Sequence, residues 1–504
     1  MYRDRDFDLG QDLPPHATDL LQDLELRVLL DAMAAGDTFL LQVANAAVVA
    51  SLDEPAAIVY RQDILADCLA QPGLVREIYA LACEAIEREK RVYGGVFGLY
   101  PEGLLSRSVE VLQLFMGILR RLRHFAEDRR ASFRSDGFTI LFDTLITELD
   151  DAYFASIGGH LQRLKLRDGL LMSAELGTGN QGVSYVLRRR VSKRSWKERI
   201  GLPDRPGYVY QVPDRDESGM RALSDLKGRG TSLVASALGR STDHILSFFR
   251  MLRLELAFYV GCLNLSERLT EIGEPTCMPE PMGAGTRALA GRGLLDVCLS
   301  LTLGARVVGN DLDADMRRLV MVTGANRGGK STFLRSVGVA HLMMQCGMFV
   351  AAESFRASVC SGIFTHFKRE EDATMESGKL DEELGRMSAI VDTLSPQSLV
   401  LLNESFASTN EREGSEIARQ IVRALLEAGI KVIYVTHLFE LAQSLHVEQV
   451  RDALFLRAER LADGQRTFRV VEGEPLPTSH GEDLYRRVFG AALDATPAAD
   501  AGPA

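Results

Sequence analysis

The stretch GANRGGKST, residues 324 to 332, fits the pattern G-x-x-x-x-G-K-[ST] through Gly324, Gly329, Lys330 and Ser331. The chemistry of that pattern is phosphate binding. Its glycines let backbone amides converge on phosphate oxygens, and the helix that follows adds positive potential. Lys330 bridges two phosphates and Ser331 binds Mg²⁺. An apolar run, LVMVT, precedes the loop and a helical run, STFLRSVGVAHLMM, follows it. A Gly-rich turn with a surface lysine would have neither.

Further along, LVLLNESFASTN (residues 399 to 410) carries four apolar residues straight into Asn403 and Glu404. That is the form of a buried strand delivering side chains to a nucleotide. Sites that cleave nucleotide phosphates usually place a carboxylate first, to orient the metal through water, and a second to polarise the attacking water. Glu404 can fill the second role. Asn403 keeps a carbonyl oxygen that accepts from metal-bound water but lacks the charge that strengthens such a bond. Replacing a charge-assisted bond of roughly 1.5–3 kcal/mol by a neutral one of about 1 kcal/mol weakens Mg²⁺ about tenfold without abolishing it. A third apolar run, KVIYVTH, ends on Thr436 and His437. A histidine there can reach the γ-phosphate and report its hydrolysis; a surface-loop histidine is the alternative. His341 and His366 lack such a context and read as structural, and no Cys/His spacing suggests zinc.

The elements that must position these residues follow from periodicity. From residue 273 to 490, strand-like and helical runs alternate, implying a parallel sheet with helices on its faces. Helices are expected from Lys330, from Glu413 and from Leu438. Upstream, residues 17 to 168 read as helices, with apolar spacing such as Leu112, Phe115, Ile118, Leu119 and Leu122. Residues 169 to 230 hold a small β insert, in which LLMSAEL, GVSYVLRR and GYVYQVP are β-prone runs separated by turn sequences. A long helix is expected over 231 to 272, ending at a Pro/Gly-rich boundary. Residues 1 to 16 form an N-terminal arm and 491 to 504 a disordered tail.

Composition bounds the function. The 504 residues are 46% hydrophobic and 25% charged with a net charge of -11, a soluble globular make-up whose nucleic-acid contact must be a local patch. Seven cysteines are scattered without a CxxC pair, as reduced thiols are. The first residues lack an apolar leader, and no run is long enough to span a bilayer, which implies a cytoplasmic protein with no membrane partner. The candidate nucleic-acid patch is RRRVSKRSWKER, residues 188 to 199, in which Arg188, Arg189, Arg190, Lys193 and Arg194 surround the single tryptophan, Trp196. Such a cluster can hold backbone phosphates while the indole stacks on a base. A solvated positive loop remains the alternative.

Taken in order, these motifs resemble a known family. GANRGGKST resembles the GPNMGGKST-type loop of the MutS family of DNA mismatch repair ATPases, and VVGNDLDADMRRLVMVTG is similar to its Asn-Asp strand lead-in. LVLLNESFASTNEREG resembles its LVLMDEIGRGTSTYDG segment, and VIYVTHLFELAQ its ATHYFELT segment. The resemblance implies an α/β P-loop NTPase of the ABC type, preceded by a helical lever region with a clamp-like β insert. It further implies ATP and Mg²⁺ as cofactors and a homodimer in which each subunit completes the other's nucleotide site. On this chain it assigns phosphate binding to Asn326, Gly328, Gly329, Lys330, Ser331 and Thr332, with Mg²⁺ orientation at Ser331 and Asn403. Water activation falls to Glu404 and switch sensing to His437. The trans-acting serine segment is loosely matched by ESGKLDEELG, making Ser377 the candidate, just before a helix expected to present Leu380, Leu384, Met387, Val391 and Leu394 on one face.

Departures from the family pattern are Ala325 and Arg327 in the loop, Asn403 for aspartate, and Phe406, Ala407 and Ser408 in place of Gly-Arg-Gly. They bear on hydrolysis rate more than on nucleotide binding. No Phe-x-Glu reader segment opens the chain, so lesion reading by the family's wedge is not expected. Two functions follow: an ATP-gated dimeric clamp on DNA, serving mismatch repair or recombination, with slow hydrolysis; or an ATP-switched scaffold for protein or RNA that hydrolyses little or nothing.

Overall fold

A computed structural model describes residues 1–93, 101–166, 169–188, 208–213, 215–325, 327–369, 378–461 and 465–476. The chain divides into two compact units, one of residues 73–256 and one combining 1–72 with 257–504.

The first unit is mainly helical. The helices Pro101–Arg129, Asp136–Glu148 and Asp151–Leu164 follow one another, the last two opened by Ser135 and Asp150, whose side chains accept from Phe138 N and Tyr153 N. These caps satisfy amides that a helix start otherwise leaves unpaired. Leu112, Phe115, Ile118, Leu119 and Leu122 are all buried, as their spacing requires. Phe133, Phe138 and Phe142 pack ring against ring beside them.

The β insert is narrower than its sequence suggests. β1 (Met172–Leu176) and β2 (Gly182–Leu187) form an antiparallel hairpin closed by Gly179 and Asn180, both in the left-handed region. The third β-prone run, GYVYQVP, forms no strand over residues 208–213, where Tyr208, Val209 and Tyr210 are exposed and have no strand to pair with among the described residues. The long helix runs Glu217–Ile272, starting well before the expected 231. Gly228 and Gly230 lie inside this helix, and the Met172 side chain of β1 occupies the space a Cβ on Gly230 would take.

In the second unit two sheets stand side by side. The smaller is built from β3 (Glu280–Met282), β4 (Leu289–Leu294), β5 (Asn310–Asp313) and β7 (Ser354–Ser358), in the order β3-β7-β4-β5. The larger holds β6 (Leu319–Thr323), β8 (Ile363–Phe367), β9 (Leu399–Asn403), β10 (Lys431–Val435), β11 (Ala453–Arg460) and β12 (Arg466–Glu472), in the order β12-β11-β6-β10-β9-β8. The five strands other than β12 are parallel to their neighbours, and β12 turns back antiparallel on β11. β6, β9 and β10 are apolar without alternation and almost wholly buried, as strands covered on both faces must be.

Helices Lys330–Gln345, Lys379–Thr393, Glu411–Glu427 and Phe439–Val447 belong to this unit. The N-terminal residues are folded into it. His16 packs against Phe364 with tilted rings 4.2 Å apart between centroids, and Leu24 lies where a Cβ on Gly338 would meet it at 3.0 Å. The helix Lys379–Thr393 presents part of the expected face, since Met387 is buried and Leu380 and Leu394 pack on the same core. Leu384 and Val391 are exposed instead, and Glu383, whose side chain accepts from Ser408 at 3.0 Å, is buried with Ile390.

Candidate nucleotide site

Strand register assembles the site. Val322 of β6 pairs with Val435 of β10, which in turn pairs with Asn403 of β9, so three strand ends lie at one edge of the sheet. Glu404 N donates to Val435 O at 2.8 Å and Thr436 N to Val322 O at 3.1 Å, carrying the alignment one residue past each strand. The phosphate loop, Asn403–Glu404 and Thr436–His437 therefore share an edge, the usual ligand position in parallel sheets.

In the loop, Gly324 (φ 111°) and Gly329 (φ 92°) occupy backbone conformations that favour glycine. Space adds a second requirement at Gly328 and Gly329. A Cβ on Gly328 would lie 2.8 Å from Ala458 Cβ, and one on Gly329 would lie 3.1 Å from Phe468 O. The β11–β12 hairpin thus backs the loop closely and leaves no room for larger residues.

Lys330 opens the helix and is only 5% exposed. Its Nζ donates to Gly324 O at 2.9 Å and Ala325 O at 3.1 Å, curling the ammonium over its own loop. Burial pulls its pKa below the usual lysine value, and Glu404 opposes that shift. Ser331 Oγ donates to Asn403 Oδ1 at 2.9 Å, bringing together the two residues expected to handle the metal. Thr332 follows in the same helical turn.

Glu404 is half-buried with a left-handed backbone (φ 53°), and its Oε2 lies 3.8 Å from His437 Nδ1. That is an ion-pair distance, too long for a hydrogen bond. The imidazole, then Lys330 and Lys368, hold the Glu404 carboxyl below its ordinary range against the opposing effect of burial. The carboxylate is therefore ionised at neutral pH, as an acceptor for water must be.

A buried network behind Glu404 was not read from the sequence. Phe406, fully buried with φ 61°, stacks on His366 at 5.3 Å between centroids. Gly414 allows this turn, since a Cβ there would strike Phe406 O at 2.3 Å. His366 Nε2 lies 2.9 Å from Glu383 O and Nδ1 lies 2.8 Å from Ser405 Oγ. A carbonyl can only accept, so Nε2 donates to Glu383 O, while the single Ser405 hydroxyl proton goes to His366 O at 2.6 Å. The side chains that replace the family's Gly-Arg-Gly thus build a packed support under the carboxylate. A Phe in a left-handed turn carries no local sequence signal of this kind.

Burial also lowers the pKa of His366 and of His341 to about 4 from an ordinary 6.5. Between those values an unfolded chain takes up protons that the folded chain refuses, so stability rises with pH across the window. Acidification from pH 6.5 towards 4 should cost up to about 3 kcal/mol per histidine. Urea midpoints measured from pH 7 to 5 should fall, and His341→Gln should flatten part of the slope. A midpoint independent of pH would contradict the neutral, buried assignment.

The remaining site residues divide in two. Arg188 is exposed at the end of β2, its Nε donating to Ser173 Oγ at 2.8 Å. Asn326, Ser377, Arg189, Arg190, Lys193, Arg194 and Trp196 lie outside the described residues. All seven cysteines are free thiols, and no helix among the described residues is long and apolar enough to cross a membrane.

Residues 53–272 match the family model described as MutS2 N-terminal domain, and residues 320–484 the model described as MutS domain V. A DNA mismatch repair protein MutS from Thermotoga petrophila is 36% identical over 168 residues, 33% of this chain and 21% of that protein. One from Chloroflexus aurantiacus is 28% identical over 252 residues, 49% of this chain and 26% of that protein. A third, from Syntrophomonas wolfei, is 33% identical over 196 residues, covering 38% and 23%. The chain thus spans about a quarter or less of the length of these curated relatives. With one model falling on the helical region and the other on the phosphate-loop region, the chain belongs to the MutS family and resembles its MutS2 branch.

Proposed function

We propose that this protein is an ATPase whose ATP binding and slow hydrolysis gate a homodimeric clamp on DNA. The observation that carries this reading is the convergence of Lys330, Ser331, Asn403, Glu404 and His437 on one sheet edge behind a glycine loop. The donor set fits ATP and Mg²⁺. The left-handed glycines turn the loop tightly at the start of a helix, and the Ser331 hydroxyl and Asn403 amide oxygen are neutral oxygens suited to a hard cation or its water.

Bound ATP would supply the phosphoanhydride bond to be cleaved. Lys330 would exchange its loop carbonyls for phosphate oxygens, Glu404 would orient and accept from water, and His437 would sense the change beside it. Without a charge at position 403 the metal is held weakly, which slows turnover. The role of Ser377 as a trans contact across an ATP-induced dimer, and that of residues 188–199 on DNA, belong to the same reading. The domain plan of helical lever, clamp-like insert and ATPase domain belongs to it as well.

The test is ATP turnover by the full chain, alone and with mismatched, branched and single-stranded DNA, beside sedimentation with a non-hydrolysable analogue. Slow turnover that DNA changes, with association on adding the analogue, is expected. Nucleotide binding with no turnover at saturating Mg²⁺ would instead favour the ATP-switched scaffold, a reading that Asn403 keeps specific.

A further inference from the structure

The charges around the loop are unusually one-sided. Among the described residues, Glu404 and Arg466 act on Lys330 with opposite sign, the carboxylate favouring its charge and the guanidinium acting as a second cation. Arg466 begins β12, two residues before Phe468, whose backbone lies against Gly329, so its place beside the loop is fixed by packing. Lys368, exposed just past the end of β8, adds positive potential at Glu404. Arg327 adds a further guanidinium within the loop itself, exposed and held at φ 59°. A non-glycine residue there costs on the order of 1 kcal/mol, a strain that tight loops keep where the side chain has work to do.

Neither Arg327 nor Arg466 has an ion pair among the described residues. The one position that would counter them and hold a divalent ion, 403, is an amide whose oxygen is already engaged by Ser331. The site therefore offers more charge to a bare triphosphate and less to its metal. Guanidinium groups suit this task, because they stay charged at any physiological pH and grip phosphate oxygens in pairs.

We propose that Arg327 and Arg466 act with Lys330 as fixed counter-charges for the triphosphate, so that nucleotide is held without Mg²⁺ and the metal is needed only for cleavage. The inference rests on the ATP-site reading above and adds its regulation: loading is independent of metal, whereas firing is not. Arg327 and Arg466 are phosphate-binding residues in this scheme, and Asn403 is the residue that uncouples the two events.

The experiment is displacement of a fluorescent ATP analogue by ATP from the full chain, in excess Mg²⁺ and in excess chelator. Affinity should differ by less than about threefold between the two conditions, and Arg327→Met should weaken binding in chelator by about tenfold, the scale of one charge-assisted contact. Arg327→Lys should recover part of that loss. Asn403→Asp should shift the preference towards the Mg²⁺ condition, by adding an anion beside the phosphates and a ligand for the metal. Arg327 is exposed, so a failure of its variants to fold is not expected, and thermal melts provide the check. Loss of ATP on adding chelator would overturn the proposal. So would unchanged chelator affinity in both Arg327→Met and Arg466→Gln. Absence of binding in both conditions would overturn the ATP-site reading and this inference with it.

Discussion

Lys330→Ala should lower ATP affinity by about 100-fold or more, the value of a charge-assisted phosphate contact in a site shielded from water. The lysine is 5% exposed and its ammonium is held over the loop by two carbonyls, which phosphate oxygens would replace. Isothermal titration of the variant, with a melt to confirm folding, measures the loss. Undiminished affinity would remove the loop from the nucleotide site, since no other lysine lies within it.

Glu404→Gln should separate binding from chemistry. The variant keeps the shape of the side chain and the backbone turn at φ 53°, but its amide cannot accept a proton or orient water as a carboxylate does. Turnover should fall by about 10²–10⁴-fold while ATP affinity stays within about threefold of the parent chain. Removing a negative charge near Lys330 could tighten binding slightly, which strengthens the contrast. Single-turnover kinetics with labelled ATP checks it; retained turnover would assign water activation to another group. The pH profile gives a second view. Because His437 and the neighbouring lysines hold Glu404 ionised below the ordinary carboxylate range, activity lost between pH 6.5 and 5 should track unfolding driven by His341 and His366, not protonation of Glu404.

What could be read from the sequence was whatever a short window encodes. LVMVT, LVLLN and KVIYV are unbroken apolar runs ending in polar residues, and each proved to be a buried parallel strand whose end lies at the site edge. The long helix was visible as periodicity, but its start was misplaced. The sequence pattern places residues 217–230 in the β insert, whereas they form the first turns of the helix, with the Met172 side chain of β1 packed at Gly230. Likewise GYVYQVP has strand propensity and no partner to realise it among the described residues.

The small sheet was hidden for a different reason. LAGRGL and NDLD are short, glycine-bearing or charged, and become strands only because neighbours pair with them. At the site, the motif residues were legible and their surroundings were not. The packing of Ala458 and Phe468 against the loop, and of Phe406 on His366, joins segments far apart in the chain, which no window spans.

The order in which these segments leave a ribosome is the reverse of the order in which they are needed. The helices within residues 1–72 are made before residues 73–256, yet their partners, among them Phe364 and Gly338, belong to a segment that begins only after that intervening unit is complete. β6 gains its neighbour β10 later still, and the hairpin behind the phosphate loop is among the last described segments to be made. The earliest helices therefore wait with apolar faces uncovered, a natural client for a holding chaperone. A chain released before the β11–β12 hairpin is made would lack the wall that Ala458 and Phe468 form behind Gly328 and Gly329.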